Sequence, residues 1–264
     1  MTPTTVTTQT RAIALAIEYD GSNYAGWQRQ PNGTTIQELV EAACHAVFGV
    51  TCSVVGSGRT DSGVHARLQV AHVHIHDGHA VPLQRIVLAL NANLPLDIRI
   101  RDVADVPLDF HARHSPLWRE YVYLLTRHDS VFLRHYRHVL PRTCDVNALN
   151  QALSVFVGDH DFSTFSKNNP DTRSYRCVVL HCAIETDTVD LLIRIRANRF
   201  VYGMCRAIVG AGLDAARGTV SPDALRYALA QQQRSVQRPL APANALILNR
   251  VHYPSTIFDA LSAY

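Results

Sequence analysis

Lysine is almost missing from this 264-residue chain: of 25 lysines and arginines together, Lys167 alone is a lysine, which leaves 24 arginines. A guanidinium is a planar fork that pairs with phosphate through two hydrogen bonds and stacks on bases, whereas an ammonium is a point charge. The bias fits a nucleic-acid partner and also fits the base composition of a genome; composition alone favours the second, and a net charge of +3 is too small to overturn it. Long apolar runs are missing too. No stretch approaches the roughly 20 residues that cross a bilayer. The threonine-rich start, Thr2 to Thr10, lacks the basic-then-apolar layout of a signal peptide, so a cytoplasmic protein with no membrane partner is expected. No Cys-x-x-Cys pair occurs. Cys44, Cys52, Cys144, Cys177, Cys182 and Cys205 are scattered, with Cys44 and Cys205 inside apolar helical patterns, which predicts buried reduced thiols rather than a disulfide framework or a zinc site. A low-complexity linker is absent as well: only the loop around Pro107–Pro116 separates two halves, residues 1–110 and 111–264. With 47% hydrophobic residues the chain can bury a sizeable core, as one large domain or two smaller ones.

What is present is concentrated between Gly56 and Ala66, where the chain reads Gly-Ser-Gly-Arg-Thr-Asp-Ser-Gly-Val-His-Ala. Gly56, Gly58 and Gly63 can take backbone angles closed to other residues, so a ligand can approach the main chain while Arg59 and Asp61 point into the space. A glycine-rich turn with one acid and one base is common on any surface. This one sits between an apolar stretch, Ser53-Val54-Val55, and a strand-like run from Leu68 to Ile75, and so is held at both ends.

Over Gly58-Arg59-Thr60-Asp61-Ser62-Gly63-Val64-His65-Ala66 the chain resembles the catalytic segment of the tRNA pseudouridine synthases of the TruA type. Glu18-Tyr19-Asp20-Gly21-Ser22-Asn23-Tyr24-Ala25-Gly26-Trp27-Gln28-Arg29-Gln30 is similar to the opening signature of that family. Asn91-Ala92-Asn93-Leu94-Pro95, Asp109-Phe110-His111-Ala112-Arg113, Tyr121-Val122-Tyr123 and Asn198-Arg199-Phe200-Val201-Tyr202-Gly203-Met204-Cys205-Arg206 follow in the family's order. The resemblance runs from about residue 12 to about residue 254. It implies a cofactor-independent isomerase that converts uridine to pseudouridine in the anticodon stem-loop of tRNA, acting as a homodimer with one tRNA touching both subunits. Glu120 and Val122 depart from it where basic residues are usual, and Ala245 where glycine is usual.

Periodicity outlines two halves of similar layout. In the first, a strand at Ala12–Tyr19 precedes a helix opened by a capping box, Thr35-Ile36-Gln37-Glu38, with Ile36, Leu39, Val40, Ala43 and Val47 on one face. Strands at Cys52–Val55 and Leu68–Ile75, a helix over Leu83–Asn91 opened by Pro82, and a strand near Ile98–Val103 complete a β-α-β-β-α-β order. The second half repeats it: strand Glu120–Arg127, helix Val146–Phe156, strands Cys177–Glu185 and Val189–Ala197, helix Phe200–Arg217, a helix after Ser221-Pro222-Asp223, and strand Ala245–Val251. The expected class is α+β: two tandem ferredoxin-like halves whose sheets join into one mixed, mainly antiparallel sheet with helices mainly on one face and a central RNA-binding cleft.

The implied reaction breaks the bond from ribose C1′ to uracil N1 and rejoins the base through C5, with no net redox change and no need of a metal or cofactor. It needs a nucleophile or charge stabiliser beside the glycosidic bond, and an ionised carboxylate serves as either. Asp61 is the only acid in the glycine-rich segment. Arg59 can fill the space left by a flipped-out uridine or contact a phosphate. By resemblance, Tyr121 stacks on the target base, where its hydroxyl can help to remove the C5 proton. Arg206 is the third family position. On its helix it is expected to share a face with Gly203 and Gly210, close enough for its guanidinium to meet the Asp61 carboxylate.

Arg113, Arg119, Arg127, Arg134, Arg137 and Arg142, interleaved with Trp118, Tyr121, Tyr123 and Tyr136, form a mixture suited to RNA or simply a solvated basic face. Two rival readings come from other classes. His72, His74 and His76 alternate along one strand with His65 nearby, a spacing that suits a metal-dependent hydrolase, although no carboxylate falls in step with them. An RNA-binding module with a silent catalytic site is the other; the joint presence of Arg59, Asp61, Tyr121 and Arg206 argues against it.

Overall fold

The computed structural model describes residues 10–76, 82–186, 191–232, 240–254 and 257–258, and the threonine-rich start before Thr10 lies outside them. The chain forms two compact units. Unit 1 holds residues up to Ser62, Ala66–Pro116 and the segment from Tyr253; unit 2 holds Gly63–His65 and Leu117–His252.

In unit 1, β1 (Thr10–Tyr19), α1 (Ile36–Phe48), β2 (Val55–Gly56), β3 (His65–His76), α2 (Leu83–Ala92) and β4 (Ile98–Val106) follow the anticipated order. β1 is central. It pairs antiparallel with β3 on one side, Ala14 opposite His72, and with β4 on the other, Leu15 opposite Val103, while β2 adds to β3 through Val55 and His72. Ala12–Ile17 are all buried, and because alternate strand residues face opposite ways, both faces of β1 are covered. Thr35 caps α1, its Oγ1 accepting the Glu38 N–H at 3.4 Å, and Gly49 ends the helix at φ +69°. Ile36, Val40, Ala43, Cys44 and Phe48 make its buried stripe; Leu39 and Val47, expected on that face, are only half-buried. The strand expected at Cys52–Val55 shrinks to two residues.

Unit 2 contains β5 (Trp118–Thr126), β6 (His138–Val139), α3 (Val146–Ser154), β7 (Gly158–Asp161), β8 (Arg176–Thr186), β9 (Leu191–Ala197), α4 (Met204–Ala216), α5 (Pro222–Gln231) and β10 (Leu246–His252). Its strands run β10-β5-β9-β8-β7, all antiparallel, with β6 lying parallel to β5. Asp145 and Ser221 cap α3 and α5. Helices α3 and α4 pack so closely at Gly212 that a Cβ there would stand 2.7 Å from Leu149 Cδ1. Phe156, Phe162 and Phe165 fill the core beside them, Phe156 and Phe165 edge-on at 4.9 Å. Both units are therefore mixed α+β with antiparallel pairing predominant. All six cysteines are free thiols and buried.

Candidate active site

The glycine-rich segment is a cage built from its own backbone and from the opening signature. Ser57 N–H donates to the Val70 carbonyl at 2.7 Å, Ser57 Oγ donates to Gln69 Oε1 at 2.6 Å, and Gln69 Nε2 donates to the Gly58 carbonyl at 2.9 Å. Gln69 and Ser57 are buried, so this short polar chain satisfies groups that water cannot reach. Thr60 is anchored next: its carbonyl accepts the Trp27 N–H at 3.1 Å and its hydroxyl pairs with Tyr19 at 2.8 Å. Ser62 Oγ donates to the Tyr24 carbonyl at 3.0 Å.

Two glycines make this packing possible. Gly26 sits at φ +103°, and a Cβ on it would stand 2.6 Å from the Thr60 carbonyl oxygen and 3.1 Å from the Asp61 carbonyl carbon; at Gly56 a Cβ would run into the Trp27 ring at 2.6 Å. Gly56 thus makes room for an indole of the protein itself. Buried Thr60 is pinned between exposed Arg59 and half-buried Asp61, so both charged residues are carried on a fixed backbone.

Unit 2 takes over at Gly63, which adopts φ +78°. His65 is buried, with Nε2 3.0 Å from both the His135 and the Asn244 carbonyl oxygens and its ring 5.2 Å from that of Tyr136. Its role is thus to bind main chain. Tyr121, in β5 between Leu248 of β10 and Ile195 of β9, is buried and meets Phe200 edge-on at 5.0 Å.

Arg206 lies in the first turn of α4, where Nε donates to the Ala241 carbonyl at 2.7 Å while its own carbonyl accepts the Ala241 N–H at 3.0 Å. Helix α4 begins at Met204, later than the expected Phe200, because Gly203 turns left-handed at φ +73°. Gly203 is therefore a cap rather than part of a helix face with Arg206. Tyr123, two residues from Tyr121 on the same face of β5, is buried, and burial pushes its hydroxyl up against a smaller opposing effect of the Arg206 charge. The structure places Arg59 with Asp61 in unit 1 and Tyr121 with Arg206 in unit 2.

Three features were missed from sequence. Gln69 is a polar residue amid Leu68, Val70 and Ala71, a signal of a buried hydrogen-bonded group. Gly26-Trp27 stands in the stretch similar to the family's opening signature, but its bracing of the glycine-rich segment has no trace in the sequence. Glu120 is the third: it is buried and accepts from Arg194 Nη1 at 2.7 Å, Arg196 Nη2 at 2.6 Å and Asn249 Nδ2 at 2.8 Å. Burial pushes its carboxyl up, but the hydrogen bonds and charges of these partners outweigh that and hold it below the usual range.

His72 and His74 belong to a cluster of rings. His72 stands edge-on to His74 at 5.4 Å and 5.0 Å from His111, and its Nδ1 accepts the Ala112 N–H at 3.2 Å. Among the described residues no group of three or more His, Cys, Asp or Glu is arranged to hold a metal ion.

The family model described as tRNA pseudouridine synthase matches residues 15–115 and 152–254. Three relatives are each named tRNA pseudouridine synthase A. The Bacteroides fragilis protein is 38% identical over 93% of this chain and 97% of its own length; that of Exiguobacterium sibiricum is 36% identical over 93% and 98%. The Chlamydia felis protein is 38% identical over 92% of each. The chain belongs to the tRNA pseudouridine synthase family, and with it to the isomerases that modify tRNA.

Proposed function

We propose that this enzyme isomerises uridine to pseudouridine in the anticodon stem-loop of tRNA, with Asp61 as the nucleophile on a flipped-out uridine. The observation that carries the reading is the cage: Gln69 and Trp27 hold the main chain at Gly58 and Thr60, and Tyr19 and Tyr24 hold the Thr60 and Ser62 hydroxyls, so half-buried Asp61 is carried on a backbone fixed on both sides. Rigidity matters because a misplacement of about 1 Å at the reacting centre costs roughly a hundredfold in rate.

The Asp61 carboxylate bonds to the nucleotide as the C1′–N1 bond breaks; the base turns, C5 bonds to C1′ and the carboxylate is expelled, the C5 proton leaves and N1 gains one. Arg59 fills the space vacated in the stack or contacts a flanking phosphate, Tyr121 stacks on the extruded base, and Arg206 pairs with Asp61. Atoms and electrons balance within the nucleotide, so the scheme calls for no cofactor and no metal. The two halves, 1–110 and 111–264, are read as tandem ferredoxin-like units whose sheets join beside an RNA-binding cleft; the β4-β1-β3-β2 order within unit 1 supports this for the first half. A cytoplasmic homodimer, each tRNA touching both subunits, extends the basic surface.

The test uses unmodified tRNA carrying tritium at uridine C5. Wild type releases tritium and the mapped sites fall in the anticodon stem-loop; Asp61→Asn releases none. Silence of the wild type on every such tRNA sinks the reading, and equal release by Asp61→Asn removes the aspartate from its role.

A further inference from the structure

In unit 2, between β5 and β6, the chain makes consecutive turns over residues 130–137. Leu133 N–H donates to the Ser130 carbonyl, and the Tyr136 and Arg137 N–H groups both donate to the Leu133 carbonyl, at 2.9 to 3.1 Å. The base of the loop is tied from outside: Asn244 Nδ2 donates to the Arg134 carbonyl, and His65 Nε2 stands 3.0 Å from the His135 carbonyl. The apex is the opposite of the base. Phe132 is 86% exposed and Val131 67% exposed, on a backbone that is otherwise held fast.

The sequence of this segment is mainly of one sign. From Arg127 to Arg142 the chain has four arginines, at 127, 134, 137 and 142, against one acid, Asp129. An exposed phenyl ring in this arginine-rich segment, with the Arg134 guanidinium donating to the Val131 carbonyl next to it, offers what an unstacked base needs, a flat apolar face and a cation for the phosphate. A second copy of the chain is a poor occupant. Two apolar side chains fall far short of the ~800 Å² per partner of a stable protein interface, and the loop would meet its own charge across a two-fold axis.

We propose that loop 130–137 is a base-stacking platform, on which Phe132 receives an unpaired nucleotide of the tRNA other than the reacting uridine. The inference rests on the proposed function, since it assigns a contact to the same substrate. Phe132 is a binding residue there, and its effect belongs to capture of the RNA rather than to bond making.

Wild type, Phe132→Ala and Phe132→Trp are compared on an unmodified tRNA transcript, tritiated at uridine C5. Phe132→Ala raises KM about tenfold or more, with the change in kcat much the smaller. Phe132→Trp, which keeps a stacking face, stays within about threefold of wild-type KM. Thermal unfolding and sedimentation are the same for all three proteins. An unchanged KM in Phe132→Ala overturns the proposal, and so does a KM loss that tracks a change in oligomeric state, which would assign the face to a second copy. Should wild type release no tritium at all, the proposed function fails on its own, and filter binding of the transcript then decides: equal retention by wild type and Phe132→Ala overturns the platform, weaker retention by Phe132→Ala supports it.

Discussion

Gly26 shows how the candidate site is held at the level of single residues. Its φ of +103° is strained for any side chain, and a Cβ would press on the Thr60 carbonyl and the Asp61 backbone. Gly26→Ala is therefore expected to lower stability by about 1–3 kcal/mol, read from the urea midpoint. It also lowers kcat more than Ser221→Ala, a cap loss of about 1 kcal/mol on α5 in unit 2; equal kcat for the two would dissociate Gly26 from the site. The motif residues themselves were legible, because glycines around one acid mark a backbone that something approaches. What approaches was not legible. At Gly56 it is the ring of Trp27, twenty-nine positions earlier, and sequence spacing carries no trace of that contact.

Among the secondary-structure elements, the strongly patterned ones were readable and the short polar ones were not. The caps at Thr35 and Ser221 are formed by the anticipated residues, and the Ala12–Tyr19 run became the central strand of unit 1. Strand β7, Gly-Asp-His-Asp, has neither alternation nor β-branched residues and exists because β8 offers it an edge. Glu120 was similarly opaque: read as a departure from a basic pattern, it is the buried hub that ties β5 to β9 and β10 through Arg194, Arg196 and Asn249. Removing one partner of such a cluster leaves the others unsatisfied. Glu120→Ala is expected to cost about 2–3 kcal/mol, at or just below the usual range of roughly 3–5 kcal/mol for a buried pair, because Arg194 and Arg196 reach water and Arg194 keeps Glu185. Chemical denaturation of the variant checks this, and a loss below 0.5 kcal/mol, about the level of an ordinary surface change, would deny the hub.

At the scale of the whole molecule, acid acts on the histidine cluster of unit 1. Burial, then the charges of His111 and His74, depress His72 to about 4 against an opposing hydrogen bond with Val55, and His111 shifts in the same direction. The unfolded chain takes up the His72 proton near pH 6.5 and the folded chain only near 4. Stability from this group is thus complete above pH 6.5 and falls as pH drops from 6.5 to 4, by about 3 kcal/mol. Urea midpoints at pH 7.5, 6 and 5 follow the decline, and His72→Gln should flatten it.

One division of the chain reaches further than stability. Tyr253 belongs to unit 1, where its hydroxyl donates to the Ala112 carbonyl at 2.8 Å and its ring lies 5.2 Å from Phe110. On the ribosome it is made after every residue of unit 2. The first unit to be translated is thus the last to be completed, and during synthesis the segment at Phe110–Ala112 waits for a residue 141 positions downstream.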